Sequence, residues 1–151
     1  MSSNDYRQVR GYIKSVILAN YPQLEEWKGS LSEIGNIPNT LLDKSYHITI
    51  QGSSVTSKIS QHIEEDVSVL LNIFKRGYND QVDVRDDLLE LANCIRLDLI
   101  TPMEIENYKF ANDGNIEDVL SNSITPSEID FSNDNIIKVE IGLTVRLFFG
   151  L

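Results

Sequence analysis

His47 and His62 are the only histidines in this chain of 151 residues, and Cys94 is its only cysteine. A zinc site needs several such ligands at short spacing. Neither histidine has a cysteine or a second histidine at that spacing, so both are expected to be structural. A nucleophilic cysteine needs a neighbouring base and partial exposure. Cys94 stands between Asn93 and Ile95 in a helical pattern and reads as a small packed side chain. Asp83, Asp86 and Asp87 could share a cation, but acids gather at helix N-termini because the backbone dipole is positive there. The run Asp130-Phe131-Ser132-Asn133-Asp134-Asn135 has the look of an opening calcium loop. Asn135, however, stands where that loop needs glycine, and Ile141 where it needs a bidentate glutamate. There is no glycine-rich phosphate loop and no serine-centred elbow. His62, Glu64 and Asp66 are the scattered set from which an enzyme site could be built. The expectation is no catalytic residue, no metal and no cofactor.

The elements that would position these groups follow from periodicity. Val9, Tyr12, Ile13, Val16 and Ile17 fall at helical spacing and predict a helix from Asp5 to Ala19, capped by Ser3 or Asn4 and stopped by Pro22. Residues 20–45 place Pro22, Gly29, Gly35 and Pro38 among Leu24, Trp27, Leu31, Ile34 and Ile37, which predicts a long packed loop. Tyr46–Gln51 alternates as a strand. Gly52-Ser53-Ser54-Val55-Thr56-Ser57-Lys58 then reads as a polar, mobile hairpin loop. A second strand from Ile59 to Lys75 has apolar residues on both faces in its later half, so it is predicted to be central, with either a bulge or a charged outer half at Glu64-Glu65-Asp66.

After a turn at Arg76–Asp80, Leu88, Leu91, Ala92, Ile95 and Leu99 make the apolar stripe of a helix over Asp83–Leu99, with Asp83 as its N-cap. Thr101-Pro102 ends it. A strand is predicted over Met103–Phe110, a turn at Asn112-Asp113-Gly114-Asn115, and an ambiguous stretch to Phe131. Asn133-Asp134-Asn135 leads into the last strand. Residues 1–151 thus read as a single α+β domain: a mainly antiparallel sheet of four or five strands with two helices packed on one face.

That last strand is the longest pattern in the chain. Ile137, Val139, Ile141, Leu143, Val145, Leu147 and Phe149 alternate with Lys138, Glu140, Gly142, Thr144, Arg146 and Phe148. The odd positions are predicted to be buried. At ~3.3 Å per residue the strand spans about 40 Å, more than an ordinary strand needs. Either it bends at Gly142, or part of it projects beyond the fold to meet another subunit.

Net charge is −10, and it is uneven: residues 1–75 carry seven Lys/Arg against eight Asp/Glu, residues 76–151 six against fifteen. So acidic a surface repels phosphate, which argues against tight nucleic-acid binding. No apolar run is long enough to span a membrane, and the first residues do not read as a signal peptide.

The order of elements resembles the tail terminator proteins of long-tailed bacteriophages, including the lambda type. The resemblance lies in the N-terminal helix, the strand Tyr46-His47-Ile48-Thr49-Ile50, the longer strand Asp66–Phe74, the helix Asp83–Leu99 and the closing strand Asn135–Phe148. It implies a structural virion protein, assembled in the host cytoplasm, that caps the head-proximal end of the tail tube as a hexameric ring and joins it to the neck. Its implied partners are further copies of itself, the tail tube protein and a neck or connector protein, with DNA passing the lumen without specific binding. Another neck or connector subunit, or a small non-enzymatic adaptor, would present a similar pattern. The expected subunit or partner contacts are Gly52, Ser53, Ser54, Val55, Thr56, Ser57 and Lys58, together with Thr144 on the wet face of the last strand.

Overall fold

The computed structural model describes residues 5–29, 43–77, 81–130 and 135–150. Their order is α1 (Asp5–Asn20), β1 (Glu25–Glu26), β2 (Ser45–Ile59), β3 (His62–Gly77), α2 (Gln81–Ile100), α3 (Pro102–Asn112), β4 (Ile116–Asp130) and β5 (Asn135–Gly150). The strands form one sheet in the order β1-β2-β3-β5-β4. Only the short β1–β2 pair is parallel. The class is therefore α+β with a mixed, mostly antiparallel sheet.

The periodic residues meet where the pattern places them. One apolar cluster joins Val67, Val69, Leu71 and Ile73 of β3 and the odd residues of β5 with Val9, Tyr12, Ile13, Val16 and Ile17 of α1, Leu88, Ala92, Ile95 and Leu99 of α2, and Ile105 of α3. Ile141, Leu143, Val145 and Leu147 are all buried, as the alternation predicts. β3 is the middle strand, and its later half is closed on both sides, with Asn72 and Phe74 as buried as Leu71 and Ile73.

Four expectations are corrected. First, the closing strand does not outrun the fold. β5 is an interior strand, paired with β3 from Asn135 to Gly150 and with β4 on its other side. Gly142 does not break it. A Cβ there would stand 2.6 Å from Ser123 Oγ, so glycine lets the bulged β4 approach. Second, Gly52–Lys58 is not a loop. These residues continue β2, and the turn is delayed to Ser60-Gln61, where Ser60 takes a left-handed φ of 55°. Cross-strand pairing with β3 overrides the weak strand preference of Gly and Ser. The irregularities lie in β2, at Ile50/Gly52 and Val55/Ser57, not at Glu64–Asp66.

Third, Met103–Phe110 lies within helix α3, which makes three helices among the described residues rather than two. Pro102 sits at the first helical position, where its missing N–H costs nothing. Glu104 and Lys109 complement the dipole, and Gly114 N–H closes the C-terminus on Lys109 O at 3.1 Å. The apolar residues that imitate a strand are largely exposed: Met103 at 67% and Phe110 at 92%. Fourth, Asp83 lies inside the first turn of α2 rather than capping it. The ambiguous stretch resolves as β4. Of the predicted packed loop, residues 30–42 lie outside the described residues, as do Ser3, Asn4, residues 78–80 and residues 131–134.

The α2–α3 corner is tied down from α1. The last carbonyls of a helix have no partner within it. Thr101 supplies two partners, its Oγ1 donating to Leu97 O at 2.7 Å and its N–H to Asp98 O at 3.2 Å. Tyr12 Oη donates to Leu99 O at 2.5 Å, and Tyr21 Oη donates to Asp98 Oδ2 at 2.6 Å.

Burial raises the phenol pKa of Tyr12 above its ordinary value, helped by the charges of Glu104 and Asp98. Burial and the bond to Asp98 raise Tyr21 likewise, and burial next to Glu26 pushes Tyr46 up to about 12. These groups keep their protons in the folded state at a pH where the unfolded chain has lost them. Their contribution to stability is complete below about pH 10 and is lost as pH rises from there through the folded values. In an alkaline titration followed by tyrosinate absorbance and circular dichroism, these three phenols are expected to ionise only together with loss of structure.

Candidate subunit-contact surface

β1 covers β2 only at Ser45 and Tyr46. Beyond that point the outer edge of β2 has no neighbouring strand among the described residues. The backbone groups of Lys44 and Tyr46 face outward, since they accept from Glu25 N–H at 3.1 Å and Trp27 N–H at 2.8 Å. Alternation then turns Ile48 and Ile50 outward, and the one-residue bulge at Gln51 shifts the outward set to Ser53 and Val55. Arg10 Nη1 from α1 donates to Ile48 O at 3.0 Å, so a side chain satisfies the first free carbonyl of the edge. Beside it an open groove of about 600 Å³ is lined by Arg10, Lys14, Lys28, Trp27, His47 and Thr49, among others. Lys14 Nζ pairs with Glu26 Oε2 at 3.1 Å.

His47 is held as a neutral ring. Burial is the main influence and lowers its pKa. Its Nε2 lies 2.9 Å from Gly29 O, and because a carbonyl only accepts, Nε2 carries the proton. Nδ1 is then free to accept from Thr49 Oγ1 at 3.2 Å.

The outer half of β2 is an arm. From Gln51 to Thr56 every residue is exposed, and Val55 and Ile59 expose 60% and 70% of their surface. Gly52 has a φ of 144° and open space where a Cβ would be, so backbone conformation rather than crowding asks for glycine. Ser53 shares a 2.7 Å hydrogen bond with Tyr6 Oη. Thr56 Oγ1 lies within reach of both Glu64 O (3.2 Å) and Glu64 Oε1 (3.1 Å). Ser54, Ser57 and Lys58 pair opposite Asp66, Glu64 and Ile63.

Thr144 is not remote from this arm. The register sets Gly52, Ser68, Thr144 and Leu120 in one row across four strands. Gly52 and Thr144 are therefore about 10 Å apart, at the ordinary strand spacing. Asn122 Nδ2 donates to Thr144 Oγ1 at 2.8 Å.

The next rows hold residues that the sequence reading did not single out as contacts. Arg146 Nε meets Asp66 Oδ1 at 3.0 Å and Glu64 Oε1 at 3.4 Å. His62 stacks on Phe148, with centroids 5.2 Å apart. Arg146 and Phe148 share the parity of Thr144 in β5, which is the signal that could have found them. The possible enzyme set His62, Glu64 and Asp66 thus lies in a row on β3, with both carboxylates held by Arg146. Cys94 is exposed rather than packed, which corrects its sequence reading. Among the described residues no three His, Cys, Asp or Glu side chains gather as metal ligands, and no helix is long and apolar enough to cross a membrane.

No family model matches this chain, and no curated protein matches it at a significant level.

Proposed function

We propose that the protein is a structural component of a phage virion, of the tail terminator kind: a ring, expected to be hexameric, that caps the head-proximal end of the tail tube and joins it to the neck. The reading rests on the resemblance in element order and is carried by one structural observation. The outer half of β2 is an arm, laddered to β3 apart from its bulges at Gln51 and Thr56, that the protein's own core does not use. Exposed strand edges are usually blunted or covered, because they template pairing with another chain. In this reading the helices lie on the face of the odd residues of β5, and the face of Thr144 is left for partners. That face carries Glu64, Asp66, Asp118 and Glu140 against Arg76, Lys138 and Arg146. Turned toward a lumen, such a surface would let duplex DNA pass without sticking. The chemistry needed is contact rather than catalysis, and the protein acts without a cofactor. Electron microscopy of tails carrying a labelled copy of this chain tests the reading. A ring of the protein at the head-proximal end of the tube is expected; tails that end without it would exclude the role.

A further inference from the structure

We infer that copies of this chain join head to tail, the edge of β2 on one copy adding to the edge of β4 on the next, both of them open among the described residues, so that their sheets become continuous. This inference rests on the ring reading and names the surfaces that would build the ring.

The two outer edges of the sheet differ in charge. β2 contains one lysine and no acid over 15 residues, whereas β4, also 15 residues, contains no base and places two acids, Glu117 and Asp118, ahead of Pro126. Arg10, Lys14 and Lys28 flank the β2 edge in the groove beside Ile48 and Ile50, against one acid, Glu26, which pairs with Lys14. Residues 44–63 have no acid at all in a chain with 23 of them. A second copy of so acidic a protein meets the least repulsion there, and its β4 brings the complementary sign.

The edges also match in length and polarity. β4 turns Ile116, Val119, Ser121 and Ile124 outward, as the bond from Phe148 N–H to Asn115 O at 2.9 Å and the later register show. Pro126 is next in that outward set and has no N–H to offer, so pairing is confined to Ile116–Thr125. The stretch of β2 beyond the carbonyl held by Arg10, Thr49–Lys58, is of similar length. Pairing between two different edges is heterologous, and such contacts generate rings when the rotation closes.

The test uses the full chain in sedimentation equilibrium over a wide concentration range. Ser53→Pro removes an outward N–H from β2, and Ser121→Pro removes one from β4, where the serine hydroxyl is buried without a hydrogen-bond partner. Wild type is expected to associate. Each variant alone is expected to be monomeric, and an equimolar mixture to form a one-to-one heterodimer through the one intact edge of each. Lys58→Glu, an exposed change that leaves every backbone donor in place, is expected to weaken wild-type association about tenfold, which covers the case in which a proline variant melts early.

Wild type that stays monomeric at the highest concentration overturns the inference, as does association untouched by all three substitutions. Loss of association in Ser53→Pro but not in Ser121→Pro would mean that β2 pairs with itself, which also overturns it. The ring reading is decided separately, by the presence of the protein on tails. Failure here with rings on tails would leave that reading standing, and association here without rings on tails would remove it.

Discussion

Val145→Glu is expected to unfold the protein at neutral pH. Val145 is fully buried and lies between Val67 of β3 and Val119 of β4, both buried as well. A carboxylate at that point has no cation within the apolar cluster and no water. Burying it unpaired costs several kcal/mol, against a total stability of about 5–15 kcal/mol for a domain. The new carboxyl would answer by raising its pKa. Its folded value would then lie above the unfolded one, so the deficit should be largest at neutral pH and shrink as pH falls toward the ordinary carboxylate range. Thermal melting at two pH values checks both parts. A variant that melts like the parent at neutral pH would show that the buried face of β5 has been misassigned.

Thr144→Glu is the matching control. Thr144 is half-buried on the opposite face and loses only its bond from Asn122. The variant is expected to fold with a small change in melting temperature. If the Thr144 face lies against another subunit, the same charge would block assembly by desolvation at the contact. Normal folding together with normal assembly would remove Thr144 from the contact surface without disturbing the fold.

Tyr12→Phe is expected to cost about 1–3 kcal/mol, because it leaves the carbonyl of Leu99 unpaired near the end of α2. For a domain of this size that is a fall of roughly 2–12 °C in melting temperature. The ring itself stays in place, packed edge-on against Tyr108 with centroids 5.5 Å apart, so the loss isolates the hydroxyl. Tyr21→Phe makes the comparison. Its bond to Asp98 is only part-buried, and water can replace the lost donor, so its cost should be clearly smaller. Equal losses in the two variants would mean that Leu99 O finds another partner.

Much of the fold was legible because burial and periodicity report the same thing. The stripe of α1, the stripe of α2 and the alternation of β5 each repeat at the period of their element, and all of them enter one core. The errors fall where a segment has little to bury. Residues 103–110 contribute Ile105 alone to the buried set, so their alternation carried no information, and Pro102 with the local caps decided for helix. Gly52–Lys58 have no core to join, and no single-strand pattern marks them. Only the ladder to β3, formed across a two-residue turn at Ser60-Gln61, makes them a strand.

Contacts across the sheet are set by register, which one strand's sequence does not contain. The parity of β5 was readable, and it placed Thr144 opposite Val145. That Thr144 shares a row with Gly52, that Arg146 meets Asp66 and Glu64, and that β5 is interior while β2 and β4 hold the open edges among the described residues depend on strand order. The amino-acid sequence by itself determined which residues leave water, because that follows from local period and composition. The tertiary structure alone decided which edges remain open, because an edge exists only once every strand has chosen its neighbours.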